Sequence, residues 1–203
     1  MKIFCIGRNY AEHAAELNNP LPQAPVVFMK PPTALLSGGK PFYLPDFSEN
    51  MHYEGELVLR LSKGGRSVNR KFALGYIDAV TVGVDWTARD LQDKQKAGGL
   101  PWEIAKAFDH SAVIGEWVPA DTLDLSGPLH FSLRRNGATV QQGDTSLLLF
   151  PFDVIIEYIS RFFTLQQGDL IFTGTPKGVN AVQIGDMLEG YFGEKKLMQV
   201  EVK

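Results

Sequence analysis

The alternation of apolar and polar positions divides this chain into short strands and a few helices. In "HYEGELVLRL" the segment from Glu54 to Leu61 reads as a strand, with Leu57, Leu59 and Leu61 on one face and Glu54 and Glu56 on the other. "DAVTVGVDW" (78–86) alternates as a buried strand, its Val80, Val82, Val84 and Trp86 sharing a face and Asp85 standing at its end. "MKIFCIG" predicts a first strand ending at Gly7, and "KLMQVEVK" a last one. The clearest amphipathic helix is "PFDVIIEYISRFF", with Pro151 at its start and Val154, Ile155, Ile159 and Phe162 in a stripe. "NYAEHAAEL" predicts a shorter helix over 9–18, capped by Asn9 with Glu12 at its third position and stopped by "NNP". About ten residues make a marginal helix in isolation, so it must dock on something or order on binding. A further helix is expected from a Thr87 cap, with Asp90 three residues on, to about Ala97 before Gly98-Gly99.

Residues 20–50 are rich in proline yet keep apolar pieces such as "PVVFMK", which points to strands and loops rather than a linker. "SKGGRS" reads as a turn, and Gly-Asp turns at Gly143, Gly168 and Gly185 introduce or link strands. No repeat or low-complexity tract appears, so the expectation is one β-rich α+β domain over residues 1–203.

Composition narrows the function. A net charge of −3 with no basic run argues against a nucleic-acid partner. No apolar stretch approaches a membrane span and no leader of signal length opens the chain. The single cysteine, Cys5, lies in the apolar run "IFCIG" and reads as core. One cysteine allows no internal disulfide, so a cytoplasmic setting is expected.

The candidate chemistry is acidic. A Glu-x-Glu pair is ordinary on a wet strand face, and two like charges that close repel unless water or a cation lies between them. Asp85 changes the picture, because an unpaired carboxylate on a buried strand is costly. Three carboxylates from two strand ends suit a hard cation such as Mg²⁺, whose octahedral shell leaves three positions; a 2-oxo acid can fill two and water the third. Zinc is disfavoured because neither Cys nor His stands at ligand spacing, and His52 belongs to the strand entry.

The other polar candidates carry plain readings beside functional ones. His13 and Glu16 are neighbours at i and i+3, either as a solvated helix face or as a dyad that takes a proton from water, the carboxylate favouring the protonated ring. Lys106, in "PWEIAKAFDH", is a surface snorkeller or a cation facing a cleft, the surface being the plainer reading. Arg89 and Gln92 share a face of the helix after Asp85, as helix surfaces often do. "TGTPKGV" (173–179) lacks the spacing of an ATP-binding phosphate loop; Gly174 and Gly178 allow a tight loop that offers N–H groups to an anion, or a plain turn.

Taken in order, "GRNYAEHAAE", "PVVFMKPPTAL", "HYEGEL", "DWTARDLQ", "GLPWEIAKAFD" and "TGTPKGV" resemble the fumarylacetoacetate hydrolase family, in particular its short acylpyruvate-hydrolase branch. The resemblance implies a mixed β-sandwich roll, a homodimer, and Mg²⁺ or Mn²⁺ held by Glu54, Glu56 and Asp85. It implies a water-activating dyad of His13 and Glu16, a site lysine at Lys106, and substrate contacts from Lys30, Arg89, Gln92, Gly174 and Thr175. The implied reaction is hydrolytic C–C cleavage of a 3-acylpyruvate. Oxaloacetate decarboxylation or tautomerisation, hydratase or isomerase chemistry on related 2-oxo acids, and a non-enzymatic metal-stapled 2-oxo-acid binding protein are the alternatives. The chain is expected to start at the catalytic domain, which argues against fumarylacetoacetate itself. Gly55 stands where the family usually has a larger aliphatic, so the packing behind the carboxylates is expected to differ.

Overall fold

The computed structural model of the protein describes residues 1–16 and 20–203. The expected strands pair into a large mixed sheet. In order across it run Val26–Lys30, Ile3–Gly7, Leu170–Phe172, Gly55–Leu61, Ile77–Asp85, Ala112–Ile114 and Leu35–Leu36, with Val118–Pro119 also on Ile77–Asp85. Two of its pairings are parallel, Ile3 beside Leu170 and Leu35 beside Ala112; the others are antiparallel. A second sheet of four antiparallel strands, Ala138–Asp144, His130–Arg135, Met187–Phe192 and Lys195–Glu201, packs against it. Met51–Tyr53 leads a three-stranded ribbon with Thr87–Ala88 and Asn180–Ala181.

The hydrophobic alternation explains this packing. Leu57, Leu59, Leu61, Val80 and Val82 face Leu129, Phe131, Ile155, Ile159 and Leu197 in one core, while Val84 and Trp86 join Leu133, Leu188 and Met198 in a second. The two sheets approach so closely at Gly190 that a Cβ there would lie 2.7 Å from Val82 Cγ1. Cys5 is fully buried, and burial, then the charge of Asp85, pushes its thiol well above the usual value. The native thiol is therefore expected to stay unmodified by a thiol reagent at pH 8 and to react fully in denaturant; rapid labelling of the folded protein would contradict this placement.

Several local readings are corrected. Asn9 does not cap the Ala11–Glu16 helix: its side chain donates to Phe150 O and Thr173 O and accepts from Phe150 N, tying the chain start to two distant segments. The predicted end of that helix, at 17–18, lies outside the described residues. Thr87 is a strand residue opposite His52; the Arg89–Gly98 helix starts without a side-chain cap, and Asp90 instead accepts from Ser48 Oγ and Glu49 N. The helix does end at Gly99, in the left-handed conformation. The Phe152–Phe162 helix buries Phe152, Ile155, Ile156 and Ile159, whereas Phe162 is exposed, so the stripe is rotated from the expected one. Gly168 and Gly185 do make turns, but Gly143 is a strand position opposite Phe131. The turn of that hairpin is Asn136-Gly137, both at positive φ as a two-residue hairpin loop requires.

Candidate active site

Glu54 sits at the junction of the Met51–Tyr53 and Gly55–Leu61 strands, with its carbonyl accepting from Asp85 N at 2.8 Å. Gly55 pairs with Val84 and Glu56 with Gly83, so strand register brings the end of one strand against the start of the other. As a result one carboxylate oxygen each from Glu54, Glu56 and Asp85 lies within 4.8 Å of the others, and all three residues are buried.

Three cations surround this acidic group. Arg89 Nη2 lies 2.5 Å from Glu54 Oε1, and Lys106 Nζ lies 2.7 Å from Glu54 Oε2 and 2.9 Å from Asp85 Oδ2. Lys30 Nζ is 2.8 Å from Asp85 Oδ1, and also donates to Ser111 Oγ and to the carbonyl of Lys106. The surface reading of Lys106 is thus overturned: it is 3% exposed and faces the carboxylates. Four residues of helix, Glu103–Lys106, are too few to show a buried face by periodicity. Burial alone would lower the Lys106 amine, but Asp85 and Glu54 outweigh it and raise it.

The carboxylates differ in consequence. Burial raises the Glu54 carboxyl, but Lys106, Arg89 and His13 outweigh that and hold it well below the usual range. Glu56 has no ion-pair partner among the described residues. Burial, then Asp85 and Glu54, push its carboxyl well above the usual range. Asp85 Oδ1 accepts no hydrogen bond among the described residues despite its close ion contact. A buried carboxyl with no cationic partner among the described residues, beside two further carboxylates in an all-oxygen donor set, fits a hard divalent cation.

The loop after the Leu170–Phe172 strand supports this group. Gly174, at φ 109°, donates its N–H to Glu56 Oε2 at 2.7 Å, and Gly178 N donates to Glu16. The anions that this loop holds are therefore the protein's own carboxylates. Thr175 Oγ1 donates to Gly55 O and accepts from Gln141 Nε2, so its hydroxyl is engaged within the protein.

Gln141 escaped the sequence reading entirely, since nothing in "TVQQGD" marks it. It is buried on a strand of the second sheet. Its Oε1 accepts from Gly55 N, between the two glutamates, and its Nε2 also donates to Pro176 O. A Cβ at position 55 would lie 3.0 Å from Gln141 Oε1 and 3.2 Å from Leu133 Cβ. Gly55 is thus closely packed from behind by Gln141 and Leu133. We expect Gln141→Leu to weaken Mn²⁺ binding by about 10–100-fold, the usual effect of losing such a support, as read by titration calorimetry. Unchanged affinity would remove Gln141 from the site.

His13 is 5% exposed, and its Nδ1 lies 3.3 Å from Glu16 Oε2. Because a carboxylate only accepts, Nδ1 carries the proton and Nε2 keeps a lone pair. Glu16 favours the protonated ring as expected, but burial lowers the imidazole's pKa and outweighs Glu54 and Glu16. A neutral, oriented imidazole is a competent base. Its helix is docked through Glu16 to Gly178 and through Glu12 to Lys177, 3.1 Å apart. His52 points away from this function: its Nε2 pairs with Asn50 Oδ1, and burial, then Arg89, lower its pKa to about 4. Arg89 Nη1 donates to Gln92 Oε1, so both side chains are fixed on one wall.

His13, Glu54, Arg89, Gln92 and Lys106 bound one cavity of about 30 Å³, with Arg8, Phe28, Lys96 and Trp102. That is about the space of a single water. A much larger cavity, about 880 Å³, is lined mainly by apolar groups including Met29, Phe47, Ile104 and Phe108, and none of the three carboxylates is on its walls.

The chain is similar to known proteins over almost its whole length. The sequence model described as fumarylacetoacetate (FAA) hydrolase C-terminal matches residues 2–202. The chain belongs to the fumarylacetoacetate hydrolase family. Among its relatives is the oxaloacetate tautomerase FAHD1, mitochondrial, of Bos taurus, 40% identical over 187 residues, covering 92% of this chain and 85% of that protein. The oxaloacetate decarboxylase, mitochondrial, of Dictyostelium discoideum is 37% identical, covering 99% of this chain and 93% of that one. Among solved structures, the fumarylpyruvate hydrolase from Pseudomonas aeruginosa, crystallised in complex with Mn²⁺ and pyruvate, superposes with a TM-score of 0.93 at 38% identity. The match covers 100% of this chain and 89% of that one. The strand-rich mixed architecture is that of the family, and the family is one of enzymes that act as hydrolases or as oxaloacetate tautomerases and decarboxylases.

Proposed function

We propose that this chain is a metal-dependent hydrolase that cleaves a C–C bond in 3-acylpyruvates, giving pyruvate and a carboxylic acid. The observation that carries the reading is a buried His13, its Nδ1 3.3 Å from Glu16 Oε2, on the wall of the cavity that Glu54 and Lys106 also bound. Hydrolysis needs such a base, whereas decarboxylation does not.

Glu54, Glu56 and Asp85 would hold Mg²⁺ or Mn²⁺, and the related hydrolase crystallised with Mn²⁺ and pyruvate supports that assignment. When bound, the ion supplies Lewis acidity that stabilises the negative charge developing on a 2-oxo acid. Glu16 holds the Nδ1 proton of His13, so Nε2 takes a proton from water as the water oxygen adds to the distal carbonyl. Lys106 Nζ and the free amide N–H groups of Gln92 donate to the oxyanion that forms. The C–C bond then breaks, its electron pair passes to the pyruvate enolate, and the proton held by His13 returns to the enolate carbon. Arg89 fixes Gln92 and Glu54, and Lys30 fixes Asp85. Gly174 and Thr175 act through Glu56 and Gly55 rather than on substrate.

A second reading, tautomerisation or decarboxylation of oxaloacetate, is favoured by the names of the curated relatives. The same base can move a proton between carbon and oxygen. A panel of acylpyruvates and oxaloacetate, assayed by ultraviolet absorbance with Mg²⁺ and with chelator, separates the readings. We expect Mg²⁺-dependent loss of the acylpyruvate absorbance with matching pyruvate. Turnover of oxaloacetate alone would establish the second reading, and metal-dependent stability without turnover would leave only a binding protein. A homodimer in a cytoplasmic setting, with a single catalytic domain, completes the proposal. The relatives above are named as mitochondrial, and among the described residues no helix is long and apolar enough to cross a membrane.

A further inference from the structure

The chain carries a net charge of −3, yet the nine residues from Lys63 to Lys71 hold four cations and no acid. Arg161, on the neighbouring Phe152–Phe162 helix, adds a fifth. Arg70 pairs with Asp153 at 2.7 Å and its backbone N–H donates to Glu157, so both acids of that helix are engaged with Arg70. Lys63, Arg66, Lys71 and Arg161 are exposed, and none of them makes an ion pair among the described residues. Three of the four exposed phenylalanines among the described residues stand with them: Phe72 is 61% exposed, Phe162 56% and Phe163 36%. Lys71 Nζ lies 4.8 Å from the Phe72 ring, and Lys63 Nζ 4.7 Å from that of Tyr76.

Hydrogen bonds hold this ridge to the body of the protein. Ser67 N donates to Ser160 O at 2.8 Å, Val68 N donates to Ser160 Oγ at 2.9 Å, and Gly65 exchanges two backbone hydrogen bonds with Leu165. These bonds lay residues 65–70 along the helix, so the cations of one segment and the aromatic rings of the other share one stretch of surface. Val68 and Ala73 are buried, which leaves Arg66, Lys71 and Phe72 outward. A single exposed phenylalanine is ordinary, but three among unpaired cations mark an interaction surface. The Gly55–Leu61 strand carries the candidate metal ligands at its start and enters the ridge after its end, about 20 Å away by the rise of a strand. A partner seated on the ridge would therefore leave the catalytic cavity open.

The mixture of groups selects the partner. A small soluble anion would use the cations and leave three phenyl rings in water. A second copy of the chain, related by a two-fold, would set the same cations against one another. A bilayer with anionic lipids matches both halves of the ridge: its head groups attract Lys and Arg, and aromatic side chains enter the boundary between head groups and acyl chains. We propose that this ridge docks the protein on an anionic membrane surface, with Lys63, Arg66, Lys71 and Arg161 on the head groups and Phe72 and Phe162 entering the boundary below them. Docking of this kind is peripheral and reversible, and it is independent of the reaction the active site performs.

Co-sedimentation of the full chain with phosphatidylcholine vesicles, with and without about one-third phosphatidylglycerol, tests this. Partition onto the anionic vesicles should exceed that onto the neutral ones by about tenfold or more at about 0.1 M salt, and should collapse near 1 M, where the Debye length shrinks to about 3 Å. Lys63→Gln, Arg66→Gln, Lys71→Gln and Arg161→Gln should each lower the partition about fivefold, the effect of one basic side chain near an anionic surface. Phe72→Ser combined with Phe162→Ser should also lower it, with no change in charge; Phe163 is left in place because its ring packs on Phe4 at 5.4 Å. Every variant should keep the wild-type kcat, which shows that the fold is intact. Equal partition onto the two kinds of vesicle, partition onto neither, or binding that survives all four charge substitutions together would overturn the proposal. Binding that the serine variant leaves unchanged and that soluble polyglutamate matches would assign the ridge to an acidic protein partner, and would overturn it too.

Discussion

Replacing His13 by alanine should reduce acylpyruvate hydrolysis by about 10²–10⁴-fold, the contribution of a positioned general base. Part of any oxaloacetate decarboxylation should survive. The reasoning is specific to this site. Nδ1 is committed to Glu16, whose Oε1 is in turn held by Gly178 N at 3.0 Å, so the ring has one orientation and one free nitrogen. Burial lowers the pKa of the ring, a sign opposite to the effect of Glu16 alone. Alanine removes the proton acceptor and leaves Glu54, Glu56, Asp85 and Lys106 where they are. Loss of carbon dioxide needs no attacking water and so should be less affected. The measurement is kcat for both substrates in one buffer at one metal concentration. An equal fall in the two activities would contradict the division of roles, and an unchanged rate of hydrolysis would remove His13 from the chemistry.

The second large effect concerns Glu56. Glu54 is paired with Arg89 and Lys106 and Asp85 with Lys30 and Lys106, whereas among the described residues Glu56 has only the N–H of Gly174 and two like charges beside it. Saturating the wild type with Mg²⁺ or Mn²⁺ at a hundredfold excess over Kd should stabilise it by about 2.7 kcal/mol. For a chain of this size that is a rise in Tm of about 5–10 °C. Glu56→Gln should abolish the rise, because an amide oxygen replaces a charged ligand in a three-carboxylate set. Without metal, the same variant should melt no lower than the wild type: it keeps an oxygen for Gly174 N and relieves repulsion among buried carboxylates. Differential scanning calorimetry with metal and with chelator checks both halves. A metal-induced shift that persists in the variant would place the ion elsewhere. A metal-free variant much less stable than the wild type would show that Glu56 serves the fold first.

The sequence by itself determined which segments became the central strands and which residue types met at their ends. Side-chain direction in a strand has period two, so Leu57, Leu59 and Leu61 necessarily separate from Glu54 and Glu56, and Asp85 from the Val80–Trp86 face. The order of six motifs also carried the family, since those residues interact with one another wherever the chain takes them. Burial was decided only in three dimensions. Lys106 reads as a surface residue because its helix is one turn long, and its carboxylate partners lie 52 and 21 positions away. Asn9 and Gln141 carry no local signal, for their hydrogen bonds span 141 and 164 positions in one case and 86 in the other. The net shift of His13 was not legible in sequence, where Glu16 is visible and the protein closing over the ring is not. Pairing depends on neighbours along the chain, but desolvation depends on everything packed around a group, and that is a property of the folded whole.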